Sequence, residues 1–163
     1  MSASTFIREL YRVGIRSLLQ TAEAFVALTL AYAAIKLLSF RQVVRTMGRE
    51  QPTSDLQRGP ADEAAGEVRQ AIRRAARRMP RTIVCFPQAL AAHWMLRRRG
   101  FPSRVHYGLR NGTNSLSGHV WTSLGGAVVL GEELNDPHLC VAVFPLSPVA
   151  SHTSPSRSNL IDG

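Results

Sequence analysis

The chain contains little lysine, little cysteine and no recognisable nucleic-acid-binding motif. Lys36 is the only lysine, so nineteen of the twenty basic residues are arginine, and the formal net charge at pH 7 is +9. No aromatic residues interleave with the basic runs, so we expect no nucleic-acid partner. A solvated basic face is the favoured interpretation of this charge, and a surface for an acidic partner or peptide is the alternative.

The two cysteines, Cys85 and Cys140, are too few for a disulfide framework or a zinc site, and we expect neither a metal nor a cofactor. The N-terminus lacks the short apolar core and small-residue cleavage site that are typical of a secretory signal. We therefore expect a protein of the reducing cytoplasm. With 45% hydrophobic residues in 163, the chain can bury a core of its own.

Composition divides the chain into four parts. We predict an N-terminal helical region over residues 1–48, a loop over 49–60, a core domain over 61–145 and a disordered Pro/Ser-rich tail over 146–163. The segment from Ala24 to Leu38 is apolar almost all round, but Glu23 and Lys36 bracket a run shorter than the roughly 20 residues of a spanning helix. A buried core helix is favoured there. Membrane contact through residues 24–38 and a docking surface for a partner subunit are the alternatives.

The predicted core domain begins with helices and continues with strands. One helix covers residues 61–79 and stops at Pro80, and a second runs from Cys85 to Gly100. The segments "RVHYGLR", "GHVWTSL", "AVVLG" and "LCVAVFP" then read as strands, and Gly125-Gly126 predicts a hairpin turn. Helices followed by an antiparallel sheet indicate an α+β fold.

Cys85 stands at the start of its predicted helix, two residues before Pro87. Unpaired backbone N–H groups at a helix N-terminus favour a thiolate, and they can also stabilise the oxyanion of an acyl-transfer intermediate. We therefore predict that Cys85 is a nucleophile, with a small buried cysteine as the structural alternative. Cys140 is flanked by apolar residues and fits that structural interpretation better.

A nucleophilic cysteine needs a base, and the chain has five histidines. His93 lies eight residues beyond Cys85 on the same helix, roughly 12 Å along its axis, so it cannot reach the thiol and is expected to pack locally. His138 and His152 fall in a loop and in the tail, where no scaffold fixes them.

The remaining two histidines, His106 and His119, lie on strands that could pack against the helix. Gly118 leaves room for close backbone approach and Trp121 shares the face of His119, so His119 is favoured. A third residue should orient the imidazole. In an antiparallel meander it would lie after the histidine strand, where the acids are Glu132, Glu133 and Asp136.

The stretch "CFPQALAAHWMLRRRGFPSRVHYGLRNG…GHVWTSLGGAVVLGEE" resembles the transglutaminase-like B proteins of lasso-peptide biosynthesis, the leader peptidases, in their stand-alone protease form. The motifs cover about residues 80–145, and "SFRQVVRTMG" is similar to the start of stand-alone members. The combination of the Cys–ALA–ML–RRG run with His-x-Trp is more specific than any single piece.

The resemblance implies a papain/transglutaminase-like fold, in which the cysteine-bearing helix packs on a small antiparallel sheet. It implies Cys85 as the nucleophile and His119 as the base, and we expect Gln88 and Trp121 to support them. The implied substrate is the leader–core junction of a ribosomally made precursor peptide. The implied partners are a separate leader-recognition protein and an ATP-dependent macrolactam synthetase.

One position departs from the family. Members often carry an aspartate on the strand after the histidine, where this chain reads "LGEE", so Gly131 takes that position and Glu132 follows it. A one-residue shift turns a strand side chain to the other face. Glu132 can therefore serve as third member only if a bulge or the strand end re-aims it, and the orienting group could instead be a backbone carbonyl, an amide or absent.

Two other functions remain open from the sequence. A non-catalytic adaptor would gather the partners of a peptide-maturation complex through the apolar helix and the arginine faces. A thiol acyltransferase would use the same cysteine and histidine but pass the acyl group to an amine instead of water.

Overall fold

The computed structural model describes residues 3–53, 56–79, 84–111, 116–131 and 138–146, with side chains described from residue 14 onward except at positions 111 and 116. Within these ranges the chain forms four helices and four strands, which confirms the predicted α+β fold. They are α1 (Ala3–Leu37), α2 (Phe40–Thr46), α3 (Arg58–Ala76), α4 (Cys85–Arg98), β1 (Ser103–Asn111), β2 (Leu116–Leu124), β3 (Ala127–Leu130) and β4 (Leu139–Phe144). The predicted tail from residue 147, with His152, lies outside the described residues, and the four-part division of the chain stays a prediction.

The strands form one antiparallel sheet in the order β3-β2-β1-β4. Along β2, the buried residues Val120, Thr122 and Leu124 alternate with His119 and Trp121. The Thr122 hydroxyl donates to the Ala89 carbonyl of α4 at 2.8 Å, so the Thr122 face of the sheet packs on α4. Alternation places His119 and Trp121 on the opposite face.

α4 is the central helix of the molecule, in contact with α1, α3 and the sheet. Its residues from Ala89 to Met95 include a run of fully or nearly fully buried positions, because the helix has neighbours on almost every side. The helix that carries Cys85 at its first position is thus held along its whole length by the core. Gly100 follows it with φ 84°, the left-handed conformation that commonly ends helices.

His93 ties α4 to two other elements. Its side chain is fully buried, its Nε2 donates to the Met47 carbonyl at 3.0 Å, and its Nδ1 lies 2.9 Å from the Ser103 hydroxyl. A carbonyl only accepts, so the proton of the neutral ring is on Nε2. Burial lowers the pKa of His93, and the positive charge of Arg97 lowers it further. The expected local packing role is confirmed.

α1 has one face in the core and one face in solvent. Ala24, Leu28 and Ala31 are fully buried against the rest of the molecule, so the predicted core helix is found on this side. The opposite side, here called the outward face of α1, consists of seven exposed large hydrophobic side chains: Ile15, Leu18, Leu19, Phe25, Val26, Leu30 and Leu37. By length and composition alone, the segment Gly14–Leu37 could cross a membrane.

The expectation that Cys140 is buried is wrong. Its side chain is exposed, and so are those of Leu139 and Val141 on either side. β4 is an edge strand that pairs only with β1 among the described strands, and its first three residues are exposed although Leu139 and Cys140 pair with β1. An apolar run does not distinguish such an edge strand from a central one.

Candidate active site

The thiol of Cys85 lies at the N-terminus of α4. Val84 is the N-cap residue with extended backbone, and Cys85 is the first helical residue and half-buried. Pro87 is accommodated in the first turn because the N–H that proline lacks would have no intrahelical partner there. The thiol is thus carried by the first turn of α4, where backbone N–H groups have no intrahelical partner, and its role as a nucleophile stays a prediction.

A cavity of about 220 Å³ brings the predicted residues together. Its walls include Cys85 and Gln88 from α4 and His119 from β2. Gln88 follows Cys85 by three positions and so lies on the same side of the helix, one turn on. The other lining residues are Arg73, Val120, Leu130 and Gly131. A thiol, an imidazole and an amide thus share one small enclosure.

His119 lies on the face of the sheet turned away from α4, but it still borders this cavity because β3 ends there: the last β2–β3 pair is Thr122 with Leu130, and Gly131 follows. Nε2 of His119 lies 3.1 Å from the carbonyl oxygen of Gly131, the residue that follows β3. Because that carbonyl can only accept, Nε2 carries the proton of the neutral ring and Nδ1 carries the lone pair. The hydrogen bond therefore fixes the tautomer and leaves Nδ1 as the basic nitrogen. A backbone carbonyl, one of the alternatives that the sequence leaves open, occupies the position of an orienting acid.

Gly131 is a glycine for a steric reason. Its φ is 102°, a conformation that side-chain-bearing residues rarely adopt. A Cβ built on it would lie 2.5 Å from Cβ of Trp121 and 3.2 Å from Nε2 of His119. An aspartate at this position would collide with Trp121 in this backbone arrangement.

Trp121 packs between two histidines. Its ring stacks on His119 with centroids 6.0 Å apart and planes 15° apart, and on His106 at 5.2 Å and 5°. Gly108 makes this possible, because a Cβ there would meet the indole at 2.7 Å. The indole thus packs against the imidazole of His119 from one side, and its supporting role in the site stays a prediction.

The other strand histidine, His106, does not line the cavity around Cys85. Its Nε2 lies 2.6 Å from the Ser123 hydroxyl and its Nδ1 lies 3.8 Å from Sγ of Cys140. Burial, with the neighbouring charge of Arg104, lowers the pKa of His106. β1 itself packs against α4, as expected, but the side chain of His106 borders the different cavity that Trp121 and Ser123 also line.

Sequence reasoning missed two side chains near the site. His138, dismissed as a loop residue, lies with its ring centroid 5.5 Å from that of His119 and its Cβ directly over Gly108. The position of His138 depends on where β4 begins in the folded sheet, and no local sequence pattern predicts that. Arg73 lines the same cavity from α3, so an arginine borders the enclosure that holds the thiol. The four-residue spacing of Arg73 and Arg77 on that helix gave no indication which arginine faces the site.

The proposed third catalytic residue, Glu132, lies outside the described residues, as do Glu133 and Asp136.

A second, larger cavity of about 650 Å³ lies on the Trp121 side of the sheet and includes His106 and Ser123 in its walls. Among the residues that the structure describes, no three His, Cys, Asp or Glu side chains are grouped so that they could hold a metal ion.

Comparisons with known proteins indicate which family the chain belongs to. No significant match was found among curated proteins or among solved structures. The profile of the transglutaminase-like superfamily matches residues 24–143, most of the chain, and includes Cys85, His119 and the four strands of the sheet. The chain therefore belongs to the transglutaminase-like superfamily, which includes cysteine peptidases and acyltransferases.

Proposed function

We propose that this protein is a cysteine peptidase that removes the leader peptide from the precursor of a lasso peptide. The observation that carries the peptidase chemistry is the shared cavity of Cys85, Gln88 and His119, with the histidine tautomer fixed by the Gly131 carbonyl. The leader-peptide substrate is supported by the resemblance of residues 80–145 to the leader peptidases of lasso-peptide biosynthesis.

In the proposed mechanism, Nδ1 of His119 takes the proton of the Cys85 thiol, and the thiolate attacks the carbonyl carbon at the leader–core junction. The first-turn N–H groups of α4 and the Gln88 amide stabilise the oxyanion. His119 then donates its proton to the amine nitrogen as the C–N bond breaks, which releases the core peptide and leaves the leader as a thioester.

Water completes the cycle. His119 removes a proton from the water molecule as its oxygen attacks the thioester, the C–S bond breaks, and the leader leaves as a carboxylic acid with the thiolate restored. The freed amino group of the core is the nucleophile that an ATP-dependent macrolactam synthetase would next join to a side-chain carboxylate. A separate leader-recognition protein would deliver the precursor.

The test is reconstituted cleavage. Purified protein is incubated with the leader-recognition protein and the precursor, and the two fragments are identified by mass. We expect Cys85→Ala to reduce the rate by at least about 10³-fold, as loss of a nucleophile does in other acyl-transfer enzymes. Cys140→Ala is the matched control, because it removes the other thiol, and it should cleave at the wild-type rate.

The alternatives give different outcomes in the same assay. Unimpaired cleavage by Cys85→Ala overturns the proposed nucleophile, and no cleavage by the wild type with both partners present favours the adaptor. If an added amine appears covalently attached to the leader fragment in place of the free acid, the protein is an acyltransferase. Alkylation adds a direct comparison, since Cys85 should react faster than Cys140 even though Cys140 is the more exposed thiol.

A further inference from the structure

The outward face of α1 is an apolar surface whose seven large side chains are exposed. From Ile15 to Leu37 it extends roughly 33 Å by the helical rise. Leu18, Leu19 and Leu37 expose 70%, 65% and 81% of their surface. Soluble proteins rarely expose contiguous apolar patches of this kind unless the patch contacts a partner or a membrane.

Basic side chains border this face at both ends. Arg16 and Arg98 lie beside Ile15 and Leu19 around an open cavity of about 540 Å³, and both guanidiniums remain largely exposed while they pair with Glu67 and Glu23. At the other end, the Lys36 ammonium lies 5.9 Å from the centre of the Tyr32 ring. Tyrosine and lysine at the end of an apolar helix are typical of the membrane–water interface.

Few groups on the face need a hydrogen-bonding partner. Thr29 carries a hydroxyl among the exposed side chains of this face, and that hydroxyl donates to the Phe25 carbonyl of its own helix at 2.8 Å. Protein interfaces carry about one hydrogen bond per 100–200 Å². This face offers few of the donors and acceptors that such an interface with a protein partner would use. The net charge of +9 opposes pairing with a second copy and favours an anionic surface.

The opposite side of the same helix excludes a spanning arrangement in the folded protein. Ala24, Leu28 and Ala31 are fully buried in the core, and both carboxylate oxygens of Glu23 are bound by Arg99 at 2.9 and 2.6 Å. Crossing a bilayer would strip these residues from α3 and α4. Lying flat leaves every one of these contacts intact.

We propose that the outward face of α1 docks the folded protein flat on the surface of an anionic lipid bilayer. The seven hydrophobic side chains of the face enter the acyl-chain boundary, and Arg16, Arg98 and Lys36 face the headgroups. The proposal does not depend on the peptidase assignment, because none of these residues lines the cavity of Cys85. If the proposal is correct, the protein acts while it is bound to the membrane surface.

Flotation of the full-length protein with phospholipid vesicles tests it. Vesicles of phosphatidylcholine and phosphatidylglycerol at about 3:1 should bind the protein, and pure phosphatidylcholine vesicles and high salt should weaken binding. Leu18→Ser with Leu30→Ser should lower the partition constant at least tenfold. Leu139→Ser is the matched control, because it replaces an equally exposed leucine on β4, and it should bind like the wild type, as should Cys85→Ala.

Four results would overturn the proposal. The first is no binding to anionic vesicles. The second is equal binding by the wild type and the double variant with unchanged circular dichroism. The third is a dimer in vesicle-free sedimentation that the double variant abolishes, which assigns the face to a second copy. The fourth is resistance of the vesicle-bound protein to alkaline carbonate extraction, which would show a spanning helix.

Discussion

At the scale of single residues, Gly131 contributes to the site through its backbone alone. Its carbonyl accepts the hydrogen bond of His119, and its missing side chain leaves room for Trp121. The residue types of Cys85 and His119 can be read from the sequence, because a thiol and an imidazole are recognisable chemistry. The carbonyl partner could not be predicted, since every residue has a carbonyl and only the folded backbone aims one.

Gly131→Ala should reduce cleavage at least tenfold, because the new Cβ would lie 2.5 Å from that of Trp121 and must displace either the indole or the Gly131 carbonyl. Gly126→Ala is the matched control. Gly126 also has positive φ, 88°, but a Cβ there meets nothing within 4 Å. The Gly126→Ala variant therefore introduces backbone strain without a steric collision. Steady-state cleavage by both variants is the measurement, and equal rates for the two would contradict the steric explanation.

At the scale of elements, β3 is held from outside the sheet. Arg69 of α3 donates through Nε to the Val129 carbonyl at 2.6 Å and through Nη2 to the Val128 carbonyl at 2.9 Å. β3 is an edge strand of four residues, and it leads directly into Gly131. The arginine thus satisfies carbonyl groups at an open edge and fixes the strand that positions the orienting carbonyl.

Arg69→Met retains most of the apolar stem but removes both hydrogen bonds, so we expect the free energy of unfolding to fall by about 1–3 kcal/mol. Cleavage should fall with it, because the end of β3 loses its support. Arg77→Met, at an exposed position on the C-terminal side of the same helix, should change stability by less than about 0.5 kcal/mol. Urea unfolding of both variants provides the comparison. If Arg69→Met leaves the free energy of unfolding unchanged, the position of β3 does not depend on this side chain.

α4 is held by the buried neutral His93, which makes stability depend on pH. The pKa of His93 is lowered from 6.5 by burial, so below about pH 6.5 the unfolded chain binds a proton that the folded protein does not. The free energy of unfolding should therefore be highest above about pH 7 and fall toward about pH 5.5, by at most about 1.4 kcal/mol per pH unit for this group. His106, whose pKa is also lowered, adds to the same trend.

His93→Gln should flatten this pH dependence more than His106→Gln does, since His93 is fully buried and His106 only partly. Chemical unfolding between about pH 5.5 and 7.5 measures the slope for each protein. Identical slopes in the wild type and His93→Gln would show that another group dominates.

The predicted strands appear where alternation and the Gly125-Gly126 turn indicated, because those signals are local. What the pattern could not provide is which strand lies at an edge. That order follows from contacts between distant segments, such as the pairing of Gly108 with Cys140. For the same reason, the exposure of Cys140 and the approach of His138 to His119 were not foreseen.

At the scale of the whole molecule, α1 is part of the fold and not an appendage. Its inner side fills the core beside α3 and α4, while Arg98 and Arg99 bind Glu23 from the end of α4. The sequence indicated an apolar helix but not its two environments, because the residues are apolar nearly all round and show no sided pattern.

Substitutions at two leucines of α1 test its buried side and its exposed side separately. Leu28→Ala should lower the free energy of unfolding by about 2–5 kcal/mol, because Leu28 is fully buried and leaves a cavity. Leu30→Ala, at a position 56% exposed, should cost no more than about 0.5 kcal/mol. Urea midpoints at constant m-value are the measurement. Small effects at both positions would mean that α1 does not pack on the domain in solution.

The stack of His106, Trp121 and His119 also has an optical consequence. Indole fluorescence is quenched by an imidazolium in contact with it, and Trp121 contacts two imidazoles while Trp94, the other tryptophan, lies on α4. A protein with phenylalanine in place of Trp94 would emit only from the ring that separates the two histidines. Its brightness would follow the protonation of His106, and any molecule that enters beside the thiol would be seen as a change in colour or intensity without an added dye.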